Sequence, residues 1–182
     1  MSQRVIRRAA NQSRVAVADL LETLMIAELL TPPSRLLLIS PWISDFPIVD
    51  NRAGQFTHLD AQWGTGRIRL SAILRSFLAR GTQVSIACRP GSREDEFVHR
   101  LQAVAEVDGS DAFLSIQRAE DRLRDRSHEK ALVADSWALH GSMNFTYSGV
   151  ELNGELVTFT DDPSAVAELA TELLPLFGGP GD

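Results

Sequence analysis

The sequence divides near residue 110 into two parts with different periodicity. In the first part, apolar residues recur at helical spacing from Val15 to Leu30 and from about Arg67 to Arg80, and short apolar runs suited to buried strands follow each helix. The second part carries four strand candidates, AFLSIQ, HEKALVAD, WALHGS and GELVTFT, and closes with a helix over residues 163–177. Alternating elements followed by adjacent strands predict an α/β fold, in which a mixed β-sheet carries helices on both faces.

The length and composition of the chain indicate one domain. Its 182 residues, 44% of them hydrophobic, are enough for a full core. We expect an N-terminal helical segment over residues 1–34 and a flexible tail over residues 178–182. Residues 41–66 are rich in Pro, Gly, Asp and Asn, and we expect a long functional loop there, since long loops in compact domains often carry function.

Cysteine usage and hydropathy indicate a cytoplasmic protein. Cys88 is the sole cysteine, and its position in the alternating run QVSIAC favours a buried structural thiol over a reactive one. No stretch approaches the roughly 20 apolar residues of a membrane span, and no apolar run follows the first arginines as in a signal peptide. We therefore expect a protein that is neither exported nor bound to a membrane.

The net charge of −6 does not exclude a nucleic-acid partner. Residues 151–182 contain seven acidic side chains and no basic one, which leaves 18 bases against 17 acids over the first 150 residues. The part of the chain that contains the candidate site is thus nearly neutral. Total charge cannot decide the substrate.

The candidate site lies around the only lysine of the chain. Lys130 is the single lysine among 18 basic side chains, and it follows His128 by two residues, so both side chains would point to one face of an extended strand. Lysine is a compact point charge that fits against one oxygen of a small anion, whereas arginine presents a wide planar fork. The pattern therefore favours a small anionic group.

A hairpin would bring further polar residues to this pair. Asp135 ends the strand, and a tight return would place Gly141, Ser142 and Asn144 beside it, while Glu155 on the next strand could fix the tautomer of the imidazole. Asp135 fits a turn and supporting role better than proton transfer. An imidazole, an ammonium, a hydroxyl and an amide together suit a tetrahedral phosphate.

This order of residues resembles the HKD signature of the phospholipase D superfamily. The agreement in type and order covers His128, Lys130, Asp135, Gly141, Ser142, Asn144 and Glu155. The spacing between Asp135 and Gly141 is one residue shorter than is usual in the family, which concerns the turn more than the chemistry. A looser resemblance extends over about residues 35–177.

The resemblance implies a phospholipase D-like α/β/α sandwich and a phosphodiesterase. It implies that one histidine attacks phosphorus to form a covalent phosphohistidine and that a second histidine protonates the leaving oxygen. This chain has one copy of the motif, so a homodimer would supply the site, as in the small single-copy nucleases. No cofactor is expected, and no metal, because no cluster of His, Cys and carboxylates has ligand spacing and Lys130 would oppose a cation.

Three functions remain open. The first is a DNA nuclease, because SPWISDFPIVDNRAGQF and GSMNFTYSGVELNGE are similar to HKD proteins of bacterial DNA-modification and anti-phage defence systems, such as those associated with 7-deazaguanine modification. The second is a lipid phosphodiesterase. The third is a weakly active or inactive dimeric module that binds DNA or other proteins in a defence complex.

Other side chains have weaker claims to a role in the site. A substrate approach would be lined by four arginines, Arg52, Arg122, Arg124 and Arg126, although the last three also fit a solvated loop. Strand alternation sets His140 on the opposite face from Gly141, which favours a structural histidine. Trp42 and Trp63 could anchor a loop or the core, or stack a base.

Overall fold

The computed structural model describes residues 3–7, 15–118, 130–152 and 156–177. The strands within these ranges are β1 (Gln3–Arg7), β2 (Arg35–Ile39), β3 (Pro47–Asn51), β4 (Gly66–Arg69), β5 (Gln83–Cys88), β6 (Leu114–Arg118), β7 (Lys130–Val133), β8 (Ala138–Gly141) and β9 (Leu156–Thr160). The α-helices are α1 (Val15–Leu30), α2 (Leu70–Leu78), α3 (Ser92–Asp108) and α4 (Pro163–Leu173).

Seven strands form one mixed sheet in the order β1-β9-β8-β7-β2-β5-β6. The strands β2, β5 and β6 are parallel, as crossover connections through α2 and α3 require. The consecutive strands β7, β8 and β9 pair antiparallel, β7 also pairs antiparallel with β2, and β1 adds to β9 at the edge. The predicted α/β fold with a mixed sheet is confirmed.

Helices cover both faces of the sheet, as predicted. On one face, Leu21 of α1, Phe77 of α2 and Leu101 of α3 are fully buried in the larger core, against alternate residues of the strands. On the other face, α4 and the 3₁₀ turn after it (Leu174–Phe177) cover a smaller core that includes Val133. Among the helices of the described ranges, none is both long and apolar enough to cross a membrane.

Residues 41–66, which were expected to form a long loop, are more regular than the sequence suggested. The strand β3 pairs antiparallel with β4, and a 3₁₀ turn (Thr57–Leu59) lies between them. The buried Asn51 organises this connection, because its side chain accepts a hydrogen bond from Phe56 N (2.7 Å) and donates one to Gly64 O (3.0 Å). Apolar side chains such as Phe46 and Trp63 fix the segment to the core.

Two further boundaries differ from the prediction. The N-terminal segment begins with a strand, β1. Because β1 takes its hydrogen bonds from the distant strand β9, the sequence around it does not by itself indicate a strand. The helix expected from about Arg67 begins at Leu70, because residues 66–69 pair with β3 before the chain turns into α2.

Several chain segments meet at one edge of the main sheet. The parallel strands β2 and β5 end there, β7 begins there because it runs antiparallel to β2, and β8 ends there. Backbone hydrogen bonds join the segments that leave β2 and β5, from Ser40 N to Ala87 O (3.0 Å) and from Arg89 N to Pro41 O (3.2 Å). We call this end of the strands, at which Ser40, Lys130 and Gly141 lie, the Lys130 edge.

Candidate active site

Lys130 is the first residue of β7 and is only 6% exposed. It pairs with Gly141 on β8, and the register between β7 and β2 places Ser40 across from it, one step beyond the pair Ile39 and Ala131. Strand alternation puts its side chain on the face of Leu132, under α1–α3. Lysine is among the side chains least often buried, so the fold holds the only lysine of the chain at an exceptional position.

Gly141 and Ser142 connect β8 to β9 at the same edge. Gly141 has a φ of +152°, and a Cβ at this position would collide with the carbonyl oxygen of Leu156, so only glycine allows the strands to approach this closely. Ser142 N donates to Leu156 O (3.0 Å), and Ser142 Oγ accepts from Leu156 N (3.0 Å). These two bonds fix the start of β9 beside the end of β8, whose Gly141 pairs with Lys130.

The segment after Ser142 is held by the buried hydroxyl of Ser40. Ser40 Oγ donates to Trp42 O (2.6 Å) and accepts from Phe145 N (3.0 Å), and Ser44 N donates to Phe145 O (3.0 Å). The loop that follows β2 and the loop that follows β8 are therefore joined at their backbones. Asn144, which precedes Phe145, is fixed by the same contacts.

The side-chain oxygen of Asn144 is a buried acceptor. Within the described ranges, Asn144 Oδ1 has no hydrogen-bond partner. A buried acceptor left without a donor costs roughly 1–3 kcal/mol. Such an atom at the Lys130 edge is suited to a donor from a bound molecule or from a residue outside the described ranges.

The structure brings together three of the predicted catalytic residues, Lys130, Ser142 and Asn144, at one edge of the sheet. His128 and Glu155 lie outside the described residues; each is near a described one in sequence, His128 two residues before Lys130 and Glu155 directly before Leu156. The predicted substrate-binding residues Arg122, Arg124 and Arg126 also lie outside them.

The structure does not bring Asp135 to this group. Asp135 follows the other end of β7, about 16 Å from Lys130 at roughly 3.3 Å per residue. Its carboxylate accepts hydrogen bonds from Ser34 N (2.5 Å) and Ser34 Oγ (3.0 Å), just before β2. These bonds fit the turn and supporting role expected of Asp135, because they hold the turn between β7 and β8 to the segment before β2, and a part of Asp135 in catalysis stays a prediction.

Arg52 also lies away from Lys130. It follows β3 at the turn end of the β3–β4 hairpin, opposite the end at which Pro47 pairs with Arg69. Its guanidinium holds the carboxylate of Asp50 from Nε (2.9 Å) and Nη2 (2.5 Å), and this hydrogen bonding lowers the pKa of Asp50 to about 2. The structure does not place Arg52 at the approach that the sequence analysis predicted for it.

His140 lies on the opposite face of the sheet from Gly141, as predicted. It pairs with Ala131, whose side chain belongs to the core under α4. A cavity of about 330 Å³ on this side is lined by Lys130, Ala131, His140, Gly141, Leu169, Glu172 and Leu173. Burial lowers the pKa of His140, because the charged imidazolium loses solvation there.

Cys88 is a buried thiol at the end of β5, as expected. Burial raises its pKa, although the Arg118 guanidinium, 3.2 Å from Sγ, partly opposes this. A thiol held protonated in this way is a poor nucleophile. Within the described ranges, no three residues of the types His, Cys, Asp and Glu cluster as a metal site would require.

The two tryptophans that the sequence analysis left open have different environments. Trp63 is buried in the core, whereas Trp42 is 48% exposed at the Lys130 edge. The guanidinium carbon of Arg89 lies 5.5 Å from the centroid of the Trp42 ring, a cation–π contact. A role for Arg89 was not predicted from the sequence. The one indication in the sequence is that Arg89 directly follows a strand that ends at this edge.

A second cleft begins at Ser44, two residues after Trp42. Its volume is about 320 Å³, and its lining residues are Ser44, Asp45, Arg69, Arg93, Glu96, Phe97 and Arg100. Asp45 holds Arg100 (3.2 Å) and lies 3.9 Å from Arg69. Three arginines against two acids give this cleft a net positive charge, and sequence spacing did not reveal it because the residues come from three separate segments.

Comparisons with known proteins agree with the fold. The family profile described as cardiolipin synthase, PLD-like domain, matches residues 61–176. Among curated proteins, none matches this sequence.

Three solved structures are similar in fold. The phospholipase D family member Nuc from Salmonella typhimurium is 12% identical with a TM-score of 0.56, over 96% of this chain and 92% of that one. NucT from Helicobacter pylori is 11% identical with a TM-score of 0.53, over 96% and 94% of the two chains. Polyphosphate kinase from Porphyromonas gingivalis is 14% identical with a TM-score of 0.61, but only 27% of that chain is covered.

Proposed function

The chain belongs to the family of cardiolipin synthase, PLD-like domains, and on this premise we propose that it is a phosphodiesterase that cuts DNA through a covalent intermediate on His128. The observation that carries the proposal is the position of Lys130. It is buried at an edge where Ser142 and Asn144 also lie, two residues after His128 in sequence. This is the residue set that a phosphate diester requires for nucleophilic attack and charge stabilisation.

In this proposal Lys130 binds one nonbridging oxygen of the phosphate. A buried ammonium interacts more strongly with an anion than an exposed one does, because water screens the charge less. The amide of Asn144 orients the group, and Ser142 keeps β9, and with it the segment of Glu155, against the site. Glu155 would accept a hydrogen bond from the other imidazole N–H of His128 and so fix its tautomer.

The reaction proceeds in two displacements. A neutral imidazole nitrogen of His128 attacks phosphorus, the bond from phosphorus to the leaving oxygen breaks, and the imidazolium of the partner's His128 protonates that oxygen. The partner's His128, now neutral, then takes a proton from water as the water attacks phosphorus. The bond between phosphorus and His128 breaks, and both histidines return to their initial states.

The reaction therefore needs two chains. Each chain has one copy of the motif, so a two-fold axis at the Lys130 edge would place two copies of His128 on opposite sides of one phosphate. Exposed apolar side chains at this edge, Tyr147 and Leu156, support such an interface.

We propose that the setting is a bacterial DNA-modification or defence system. The support is the similarity of the segments SPWISDFPIVDNRAGQF and GSMNFTYSGVELNGE to HKD proteins of such systems. The two segments are joined through Ser40, whose hydroxyl bonds Trp42 O and Phe145 N, so part of the likeness concerns the Lys130 edge.

The proposal is tested by incubating the purified protein with single-stranded DNA, duplex DNA and phospholipid vesicles, each in excess EDTA. We expect cleavage of DNA without a divalent cation, because a histidine nucleophile replaces a metal-activated water. Cleavage that stops in EDTA and returns with magnesium or manganese would contradict this mechanism. Hydrolysis of phospholipid alone would show a lipid phosphodiesterase, and binding of DNA without any hydrolysis would show a recruited binding module.

A further inference from the structure

Trp42 is an exposed indole in a fixed position. Its carbonyl oxygen accepts the hydroxyl of the fully buried Ser40, and Arg89, which lies over the ring at 5.5 Å, is held by the bond from its own N–H to Pro41 O. Nearly half of the Trp42 surface remains in contact with solvent. A large aromatic ring that has a held neighbour on it and nearly half of its surface open can stack against a flat ligand group.

This ring lies close to the candidate site. Ser40 Oγ joins Trp42 O to Phe145 N, so one hydroxyl group separates the backbone of Trp42 from that of the residue after Asn144. Ser40 also lies across from Lys130 in the register of β2 and β7. A nucleotide whose phosphate contacts Lys130 would therefore have Trp42 within reach of a neighbouring base.

We infer that Trp42 and Arg89 form a stacking platform for one unpaired nucleobase next to the phosphate that reacts. The indole supplies an apolar face, and Arg89 supplies a planar cation that keeps the ring oriented and adds attraction for the strand. This inference rests on the proposed function, because it assigns a nucleic acid to the site.

The neighbouring cleft extends the platform along the strand. Arg93 lines it together with Ser44, two residues after Trp42. Arg69 and Arg100 are engaged with Asp45, whereas Arg93 is exposed and has no ion pair within the described part of the chain. Arg93 is therefore placed to contact the next phosphate of a strand whose base stacks on Trp42.

This arrangement selects single-stranded substrates. Bases in a duplex are stacked and paired inside the helix, so none can lie flat on a protein side chain without being extruded at a cost of a few kcal/mol. A single strand offers unstacked bases without that cost. The platform would thus favour single strands and show little preference among the four bases.

The experiment compares an oligothymidylate of about 12 nucleotides with an abasic oligomer of the same length, in both binding and cleavage. Trp42→Ala should weaken binding of the oligothymidylate about 5- to 100-fold, the range expected for one lost base stack, and leave binding of the abasic oligomer unchanged. Trp42→Phe should retain most of the affinity. Leu30→Ala is the control, because Leu30 is an exposed apolar side chain (65%) at the end of α1, which leads into the opposite end of β2.

Arg93→Ala should weaken binding of both oligomers equally and reduce the salt dependence by about one unit of slope, since it removes a phosphate contact rather than a base contact. Arg67→Ala, an exposed arginine on β4, is its control.

An equal loss of affinity for both oligomers in Trp42→Ala would refute the platform, and so would an equal effect of Leu30→Ala on the oligothymidylate. The proposed catalytic function is tested separately, by cleavage of the abasic oligomer. If neither oligomer is cut while base-dependent binding through Trp42 persists, the catalytic proposal fails and the platform stands.

Discussion

Lys130 and Asp135 lie at opposite ends of β7, although they belong to one short sequence motif. Lys130 is buried at the edge where Ser142 and Asn144 lie, and the carboxylate of Asp135 binds Ser34 at the other edge. The two charges therefore have separable roles. One acts on the substrate in the proposed function, and the other holds the turn from β7 to β8.

Replacing Lys130 should affect turnover rather than folding. Lys130→Arg retains the charge but puts a wide fork where a compact ammonium fits, so the phosphate would be displaced. We expect kcat to fall at least about 100-fold, as when one stabilising group of an anionic transition state is removed. Steady-state kinetics together with thermal unfolding measure both effects. Wild-type turnover in this variant would show that any cation suffices.

Replacing Asp135 should have the opposite result. Asp135→Ala leaves the N–H and hydroxyl of Ser34 without their acceptor, which should reduce the free energy of unfolding by about 0.5–1.5 kcal/mol, since both groups are exposed and water can replace the carboxylate. We expect kcat within about threefold of wild type wherever the variant is folded. Denaturant unfolding and kinetics at low temperature measure these values. Asp135→Asn is the control, because its amide retains one acceptor. A large fall in kcat with unchanged stability would return Asp135 to the catalytic group.

The pH dependence of stability tests the buried Glu28, which lies at the same end of the sheet as Asp135. Trp137 Nε1 donates to Glu28 Oε1 (2.5 Å), and burial raises the pKa of Glu28. A carboxyl whose pKa is higher in the folded protein stabilises it only while protonated, so this contribution is lost as pH rises through the folded pKa. We expect Glu28→Gln, which cannot ionise and still accepts from Trp137, to raise Tm at pH 7 and not at pH 4. An equal shift at both pH values would mean that ionisation of Glu28 is not the cause.

The two histidines near Lys130 should differ sharply in function. His128 is two residues from Lys130 and is the proposed nucleophile, whereas His140 faces α4 on the other side of the sheet. His128→Ala should abolish cleavage, and His140→Asn should retain it within about threefold, since a residue on the other face does not touch the phosphate. Cleavage assays of both folded variants decide this. If His140→Asn were the inactive variant, the nucleophile would have to be sought in the cavity under α4.

The sequence predicted the group of Lys130, Ser142 and Asn144 because these positions depend on local rules, namely strand alternation and a tight hairpin. It predicted the mixed sheet for the same reason. The contact between Trp42 and Arg89 depends instead on the parallel pairing of β2 with β5, which single-sequence patterns do not specify.

Long-range partners explain the other differences. Asp135 bonds Ser34 across 101 positions of sequence, so this partner had no local signal. The β3–β4 hairpin was not predicted because its Pro, Gly and Asn content is typical of a loop, and its order comes from Asn51 and from side chains packed against α1 and α2.

The central claim is that His128 carries the phosphoryl group during the reaction. It is tested most directly by mass spectrometry of a reaction with DNA that is quenched during turnover and digested under conditions that preserve phosphoramidates. We expect a nucleotide or phosphate adduct on the peptide that contains His128 in wild type, and none in Lys130→Arg or in the absence of DNA. Rapid DNA cleavage with no adduct on any histidine, or an adduct on His140 instead, would contradict the account.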